Sequence, residues 1–192
     1  MKILFLGSED CELIAWLHQY GDTVQTYSDK ITPQVLSKCS FDLLISYGYR
    51  YILSPETLAH FPNSAINLHI SLLPWNRGAD PNLWSFVENT PKGVTIHHID
   101  EGLDTGDIIA QTELNFVNPQ ETLSSSYAKL HNAIQSLFKV HWHDIRSRTA
   151  PRKAQALGGS SHRSRDKQPL ERMLLKSWDT PVSELENLKR ST

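Results

Sequence analysis

The sequence predicts an α/β protein: an open, twisted, mostly parallel sheet with helices on both faces, an antiparallel edge pair and a short C-terminal extension. Three observations predict it. Short apolar runs alternate with helical patterns through the first half. A turn-rich link too short for a helix joins two later runs. A long segment with one apolar face then follows. Strands are expected over 2–6, 23–27, 42–46 and 65–69, with helices at 12–20, near 33–38 and at 55–60 between them. Alternation at this spacing builds parallel β-helix-β units whose sheet is covered on both sides. The runs 93–99 and 107–116 are joined by "DEGLDTG", so they are expected to pair antiparallel. This is a Rossmann-like arrangement, yet no G-x-G-x-x-G follows the first strand, which speaks against a generic dinucleotide binder.

The long helix is expected to start with Asn118 as cap, Pro119 in the first turn and Glu121 closing a capping box. Leu123, Tyr127, Leu130, Ile134, Leu137 and Ile145 mark its apolar face. The pattern breaks near Thr149–Pro151, so residues 1–150 are read as one domain and 151–192 as a basic extension docking on it. In that extension 157–168 reads as loop, followed by short helices near 170–176 and 182–188. Met173, Leu174 and Trp178 give it apolar groups to bury.

Bulk properties narrow the function. At 39% hydrophobic and 21% charged residues, the 192-residue chain has an ordinary globular composition. Cys11 and Cys39 lack metal-ligand spacing and read as thiols of a reducing compartment, and "MKILFLG" reads as a strand rather than a leader. No run is long enough to span a bilayer, so a cytoplasmic protein is expected. The formal net charge of −2 argues against nucleic acid as partner. Residues 146–176 nevertheless hold nine Lys/Arg against Asp166 and Glu171. Such a segment either meets a phosphate-bearing ligand or is a solvated tail.

The densest chemistry lies in "NLHISLLPWNRGADPNLW", 67–84. On a strand Asn67 and His69 project from one face, at a carboxyl end where open α/β sheets place their sites. An amide donor and an imidazole converging on one spot suit acyl transfer. A second segment, "HHIDEGLDTGDII" (97–109), carries Asp100, Glu101, Asp104 and Asp107 on a loop. An aspartate there would orient His69 and stabilise its charge. His97 and His98 alternate across a strand and cannot both ligate one metal, so they are given core or pocket roles and no metal is expected.

Together these segments resemble the folate-dependent formyltransferase family, the glycinamide ribonucleotide and methionyl-tRNA formyltransferase-like catalytic domains. The family pattern is Asn-x-His, then Ser-Leu-Leu-Pro, then Asp in a Leu-Asp-x-Gly turn. Here these are Asn67, His69, "SLLP" (71–74) and Asp104 in "LDTG" (103–106). "SYGYRYILSPE" (46–56) is similar to the family's folate strand and loop. The likeness covers roughly residues 1–145 and departs at Ile70, where the family usually has proline.

The resemblance implies an N-formyltransferase using 10-formyltetrahydrofolate and a primary amine, without a metal. Asn67, His69 and Asp104 would be catalytic. Tyr49, Arg50, Tyr51, Ile52, Leu53, Ile99, Asp100 and Glu101 would meet the folate, largely through backbone groups. "GSEDCE" (7–12) replaces the phosphate loop of the glycinamide ribonucleotide enzymes, and its carboxylates would repel a phosphate. Only 42 residues follow position 150, too few for the RNA-binding domain of the methionyl-tRNA enzymes. The chain is most similar to sugar N-formyltransferases, which implies an amino sugar nucleotide as acceptor. Trp75, Asn76, Arg77, His162, Arg163 and Arg165 would then bind it. Another small amine or aminoacyl acceptor, or a non-catalytic folate or nucleotide-sugar binder, is the alternative; a homodimer is left open.

Overall fold

The computed structural model describes residues 1–37, 39–172, 174 and 176–185. In chain order the elements are β1 (Lys2–Gly7), α1 (Glu12–Gln19), β2 (Thr23–Tyr27), α2 (Pro33–Leu36), β3 (Leu43–Tyr47), α3 (Pro55–Leu58) and β4 (Ala65–His69). There follow β5 (Arg77–Gly78), α4 (Pro81–Val87), β6 (Gly93–His98), β7 (Ile108–Glu113), α5 (Leu123–Arg146), β8 (Ser161–His162), α6 (Gln168–Glu171) and α7 (Val182–Leu185). Lys38, Met173, Leu175 and residues 186–188, included in the expected helices, lie outside the described residues.

Six strands form one sheet in the order β2-β1-β3-β4-β6-β7. β1 pairs parallel with β2 and β3, and β3 parallel with β4. Along β3 every residue is buried, as is all of β1 from Ile3 on, so these strands are covered on both faces. The backbone bonds His98 N–H to Asp107 O and Leu114 N–H to Lys92 O run in opposite chain directions, which makes β6 and β7 the antiparallel pair. Helices α2, α3 and α4 each open on a proline, whose fixed φ and missing N–H suit the first helical turn.

Within the expected loop 157–168 lie β8 and a 3-10 helix at Ser164–Lys167, and α6 runs Gln168–Glu171, earlier than the helix expected near 170–176, because the segment is held by its pairing with β5. Two further elements differ from the expectation. The long helix begins at Leu123, not after Asn118. Asn118 instead closes a local turn: its Oδ1 accepts from Gln120 N–H at 3.0 Å and its carbonyl from Glu121 N–H at 3.0 Å. Glu121 is buried and engaged with Lys129 and Ser125, so it cannot reach back as a capping-box partner. Thr122 takes the capping role, its Oγ1 accepting from Ser125 N–H at 3.1 Å. The second difference is α4, which sequence periodicity did not mark. All of Pro81–Val87 is buried, so it has no polar face to set a 3.6-residue rhythm.

The chain divides into two compact units, each of three segments. The first comprises Met1–His69, Ile96–Ala110 and Phe138–Ala154, and the second Ile70–Thr95, Gln111–Leu137 and Gln155–Thr192. In the first, Leu4, Leu6, Ile31, Leu36, Leu44, Phe61 and Ala65 form a core cluster. In the second, Leu83, Trp84, Phe86, Val87 and Leu123 pack with Leu185, and the tail residues Leu170, Leu174 and Val182 lie against them. Trp178 meets Tyr127 edge-on at 5.6 Å. Cys11 and Cys39 are unpaired thiols. Among the described residues no helix is long and apolar enough to cross a membrane, and no cluster could hold a metal ion.

Candidate active site

Within the first unit, β4 ends on Asn67 and His69, β6 carries His97, and the loop after β6 carries Asp104. β4 alternates, so Asn67 and His69 leave the same face. Asp104 sits at φ 53°, a left-handed conformation that aspartate tolerates better than most residues. Two neighbours shape its loop. The Asp100 carboxylate accepts from Gly102 N–H at 3.0 Å and from the Thr105 hydroxyl at 2.7 Å. Gly106 is pressed so closely on the His98 carbonyl that a Cβ would overlap its oxygen.

The four polar side chains converge. Asn67 Nδ2 donates to Asp104 Oδ1 at 3.1 Å and lies 3.2 Å from His97 Nε2. His69 Nδ1 is 3.7 Å from Asp104 Oδ2, and His97 Nε2 is 3.4 Å from Asp104 Oδ1. The His69 and His97 rings stand nearly perpendicular, 6.2 Å between centroids. His97 Nδ1 is 2.7 Å from the His98 carbonyl oxygen, which can only accept, so that nitrogen carries the hydrogen. A neutral His97 then presents Nε2 as an acceptor. Asn67 satisfies Asp104 with one amide hydrogen and His97 with the other. An oxyanion brought to this amide is a stronger acceptor than a neutral ring nitrogen and competes for that hydrogen.

His97 is the residue that sequence reasoning left among core or pocket positions. Its signal was faint: a histidine on the strand feeding the aspartate loop, seven positions before Asp104. Next to it, His98 is 9% exposed, and among the described residues neither ring nitrogen has a hydrogen-bond partner. Burial, reinforced by the Arg152 cation, lowers its pKa from 6.5 to about 4. Above pH 6.5 both folded and unfolded forms are neutral there. As pH falls towards 4 only the unfolded chain takes up the proton, so stability is lost. We expect His98→Leu to reduce the wild-type loss between pH 7 and pH 4.5 by about 2 kcal/mol. Paired urea titrations of both proteins test this; identical losses would show that His98 is not the buried base.

The residues expected to meet folate also belong to the first unit. The Tyr49 hydroxyl donates to Asp29 O at 2.7 Å and accepts from Ile31 N–H at 2.9 Å, fixing the start of the segment. Tyr49, Leu53 and Ile99 pack on the core cluster. Arg50, Asp100 and Glu101 are exposed, as are the apolar Tyr51 and Ile52. Ile52, at 75% exposure, is an apolar group held in water at the carboxyl end of β3.

The residues expected to meet the acceptor belong to the second unit. Trp75 is exposed, whereas Asn76 is wholly buried, its amide donating to Thr90 Oγ1 at 2.7 Å and its carbonyl accepting from Ser160 Oγ at 3.2 Å. Arg77 is partly buried and engages Gln155 and Gly158. His162 stacks on Trp84 at 3.9 Å, with Nε2 3.3 Å from Glu88. Arg163 and Arg165 are exposed, and Arg165 lies 3.9 Å from Asp166.

An amide, two imidazoles and a carboxylate at the end of a parallel strand define an acyl-transfer type of centre. Residues 15–140 match the family model described as "Formyl transferase", and the chain belongs to that family. Among solved structures it is similar to the formyltransferase PseJ from Anoxybacillus kamchatkensis, in complex with UDP-4,6-dideoxy-4-formamido-L-AltNAc and tetrahydrofolate. The identity is 47% and the TM-score 0.92, covering 96% of this chain and 97% of that one. A 4-N formyltransferase from Francisella tularensis is 25% identical with a TM-score of 0.74, over 88% of this chain and 78% of that one. Among curated relatives, the methionyl-tRNA formyltransferase of Syntrophus aciditrophicus (strain SB) is 38% identical over 131 residues. That match covers 67% of this chain and 41% of the relative. The chain thus spans about two fifths of the length of the curated relatives it matches.

Proposed function

We propose that the protein is an N-formyltransferase moving a formyl group from 10-formyltetrahydrofolate to the primary amine of a nucleotide-linked amino sugar. The observation that carries this reading is the joint placement of Asn67 and His69 around the Asp104 carboxylate. An unprotonated amine adds to the formyl carbon, developing an oxyanion on one side and an ammonium on the other. Asn67 turns an amide hydrogen to the oxyanion, and the His69 imidazolium adds a second donor. Asp104 orients His69 and takes the amine proton through water, and as the carbon–nitrogen bond to the carrier breaks that proton passes to the departing nitrogen, releasing tetrahydrofolate and the formamide. His97 holds Asn67 in register from the opposite edge.

In this reading residues 1–150 form the catalytic domain and 151–192 its basic extension. The stretches 49–53 and 99–101 receive the folate, where the exposed Tyr51 and Ile52 fit an aromatic, largely apolar body. Trp75, Arg77, His162, Arg163 and Arg165 serve the acceptor, and Asn76, wholly buried against Thr90 and Ser160, holds the loop instead of meeting the ligand. Similarity to PseJ over nearly the whole of both chains supports an amino sugar nucleotide over an aminoacyl acceptor. Work in the cytoplasm, and pairing as a homodimer, belong to the same proposal.

The test incubates the protein with 10-formyltetrahydrofolate and a panel of UDP- and dTDP-linked amino sugars, reading formyl mass gain and release of tetrahydrofolate. Gain on an aminoacyl acceptor alone would replace the acceptor assignment. Absence of transfer to any amine would leave a folate or nucleotide-sugar binder. Arg163→Ala and Arg165→Ala should each raise acceptor KM about two- to tenfold with kcat unchanged, since each removes one exposed cation. An unchanged KM in both would dismiss the tail as a phosphate clamp.

A further inference from the structure

The loop expected to receive the acceptor is strapped down by the C-terminal extension. β8 pairs parallel with β5, placing Arg77 against Ser161 and Gly78 against His162. Arg77 N–H donates to Ser160 O at 2.9 Å and Ala79 N–H to His162 O at 2.9 Å. Gly159, at φ 92°, lies so close to the Pro74 carbonyl that no side chain fits between them. The approach is therefore backbone on backbone.

This strap holds Arg77 through neutral acceptors. The guanidinium donates from Nε at 3.1 Å and Nη2 at 2.8 Å to the single amide oxygen of Gln155, and from Nη1 at 3.4 Å to Gly158 O. Every one of these acceptors is neutral. Among the described residues Arg77 is the one arginine that is partly buried rather than exposed, and no carboxylate forms an ion pair with it, whereas the exposed Arg146, Arg152 and Arg165 each have one. An arginine that served only to staple two segments would be held better by a carboxylate, which matches its fork with two charged oxygens. An amide fixes the same geometry and leaves the positive charge intact.

We propose that Gln155 is a positioning residue that aims Arg77 while keeping it un-neutralised, so that Arg77 binds the diphosphate of the acceptor. The inference rests on the acceptor reading above and adds the origin of its anion site. It also assigns the extension a role in specificity: the strap supplies the residue that sets the charge.

The experiment measures binding of UDP and dTDP by titration calorimetry, with uridine and thymidine as controls, beside acceptor KM and kcat. Arg77→Ala should weaken both diphosphates at least tenfold, the loss expected for one charge-assisted phosphate contact, and leave the nucleosides unchanged. Gln155→Glu, of the same shape, should weaken them about as much by pairing with Arg77, and raise acceptor KM with kcat held. Gln155→Met keeps the length but not the acceptor, so its loss should be smaller than that of Gln155→Glu. The gap between Gln155→Glu and wild type should narrow as salt is raised.

Diphosphate binding that depends on Arg77 but is indifferent to Gln155→Glu would overturn the inference while leaving the acceptor reading in place. Binding indifferent to Arg77→Ala would overturn it too. Formyl transfer to amino sugar nucleotides by the wild-type protein decides the acceptor reading separately. Melting temperatures of all three variants distinguish loss of charge from loss of fold, and Gln155→Met decides should Gln155→Glu fail to fold.

Discussion

Replacing Asn67 with alanine is expected to lower kcat by about 10²–10³-fold while changing acceptor KM by less than about threefold. That factor corresponds to removal of one preorganised donor from a developing oxyanion. The geometry gives the reason for its size. Asn67 is the donor shared by Asp104 Oδ1 and His97 Nε2, which lie 3.4 Å apart. Without it a carboxylate oxygen and a ring lone pair face each other with no hydrogen between them. The loss is therefore double: the oxyanion loses its donor, and Asp104 loses a contact that holds it towards His69. Single-turnover kinetics separate chemistry from product release and test the claim directly. A variant with kcat within threefold of wild type would remove Asn67 from the mechanism.

Gly106→Ala should cost about a hundredfold in kcat, although Gly106 touches no expected substrate. Its new Cβ would overlap the His98 carbonyl oxygen, part of the backbone of β6, so the aspartate loop must move outward. Asp104 is two residues away and held at φ 53° by that loop, and its carboxylate is shared by Asn67, His69 and His97. A displacement of about 1 Å at such a group is worth about 10²-fold in rate. Because folate is expected to meet the same loop, donor KM should rise as well, while acceptor KM should not. Wild-type rates in this variant would mean that the position of Asp104 is not set by the loop.

How far the site was legible follows from how local its causes are. Asn67 and His69 could be read together because a strand repeats every two residues, and both belong to five consecutive residues of β4. The flanking glycines marked the acidic turn, and the resemblance of "LDTG" to the family's aspartate turn singled out Asp104 within it. His97 could not be weighted in the same way. Its value comes from Asn67, 30 residues earlier, and nothing within its own strand reports that contact. The start of α5 failed for a related reason. Asn118, Pro119 and Glu121 satisfy the local rules for a helix start, but Glu121 is drawn into a buried pairing with Lys129, eight residues on. Charge-assisted bonds of that kind, to Lys129 and the Ser125 hydroxyl, outweigh a local propensity of about 1 kcal/mol.

Arg77 shows the same division most sharply. The sequence by itself determined the class of fold, because alternating apolar runs and helical faces are short-range properties with one compact solution. Strand spacing put Asn67 and His69 on one face, and the resemblance of the ordered motifs to a known family supplied the chemistry expected at β4 and the aspartate loop. Only the tertiary structure decided which charges stay free to bind a ligand. Gln155 lies 78 residues from Arg77, and no rule of spacing joins them. Whether a cation is neutralised depends on which acceptor is folded against it, and that is a property of the packed chain.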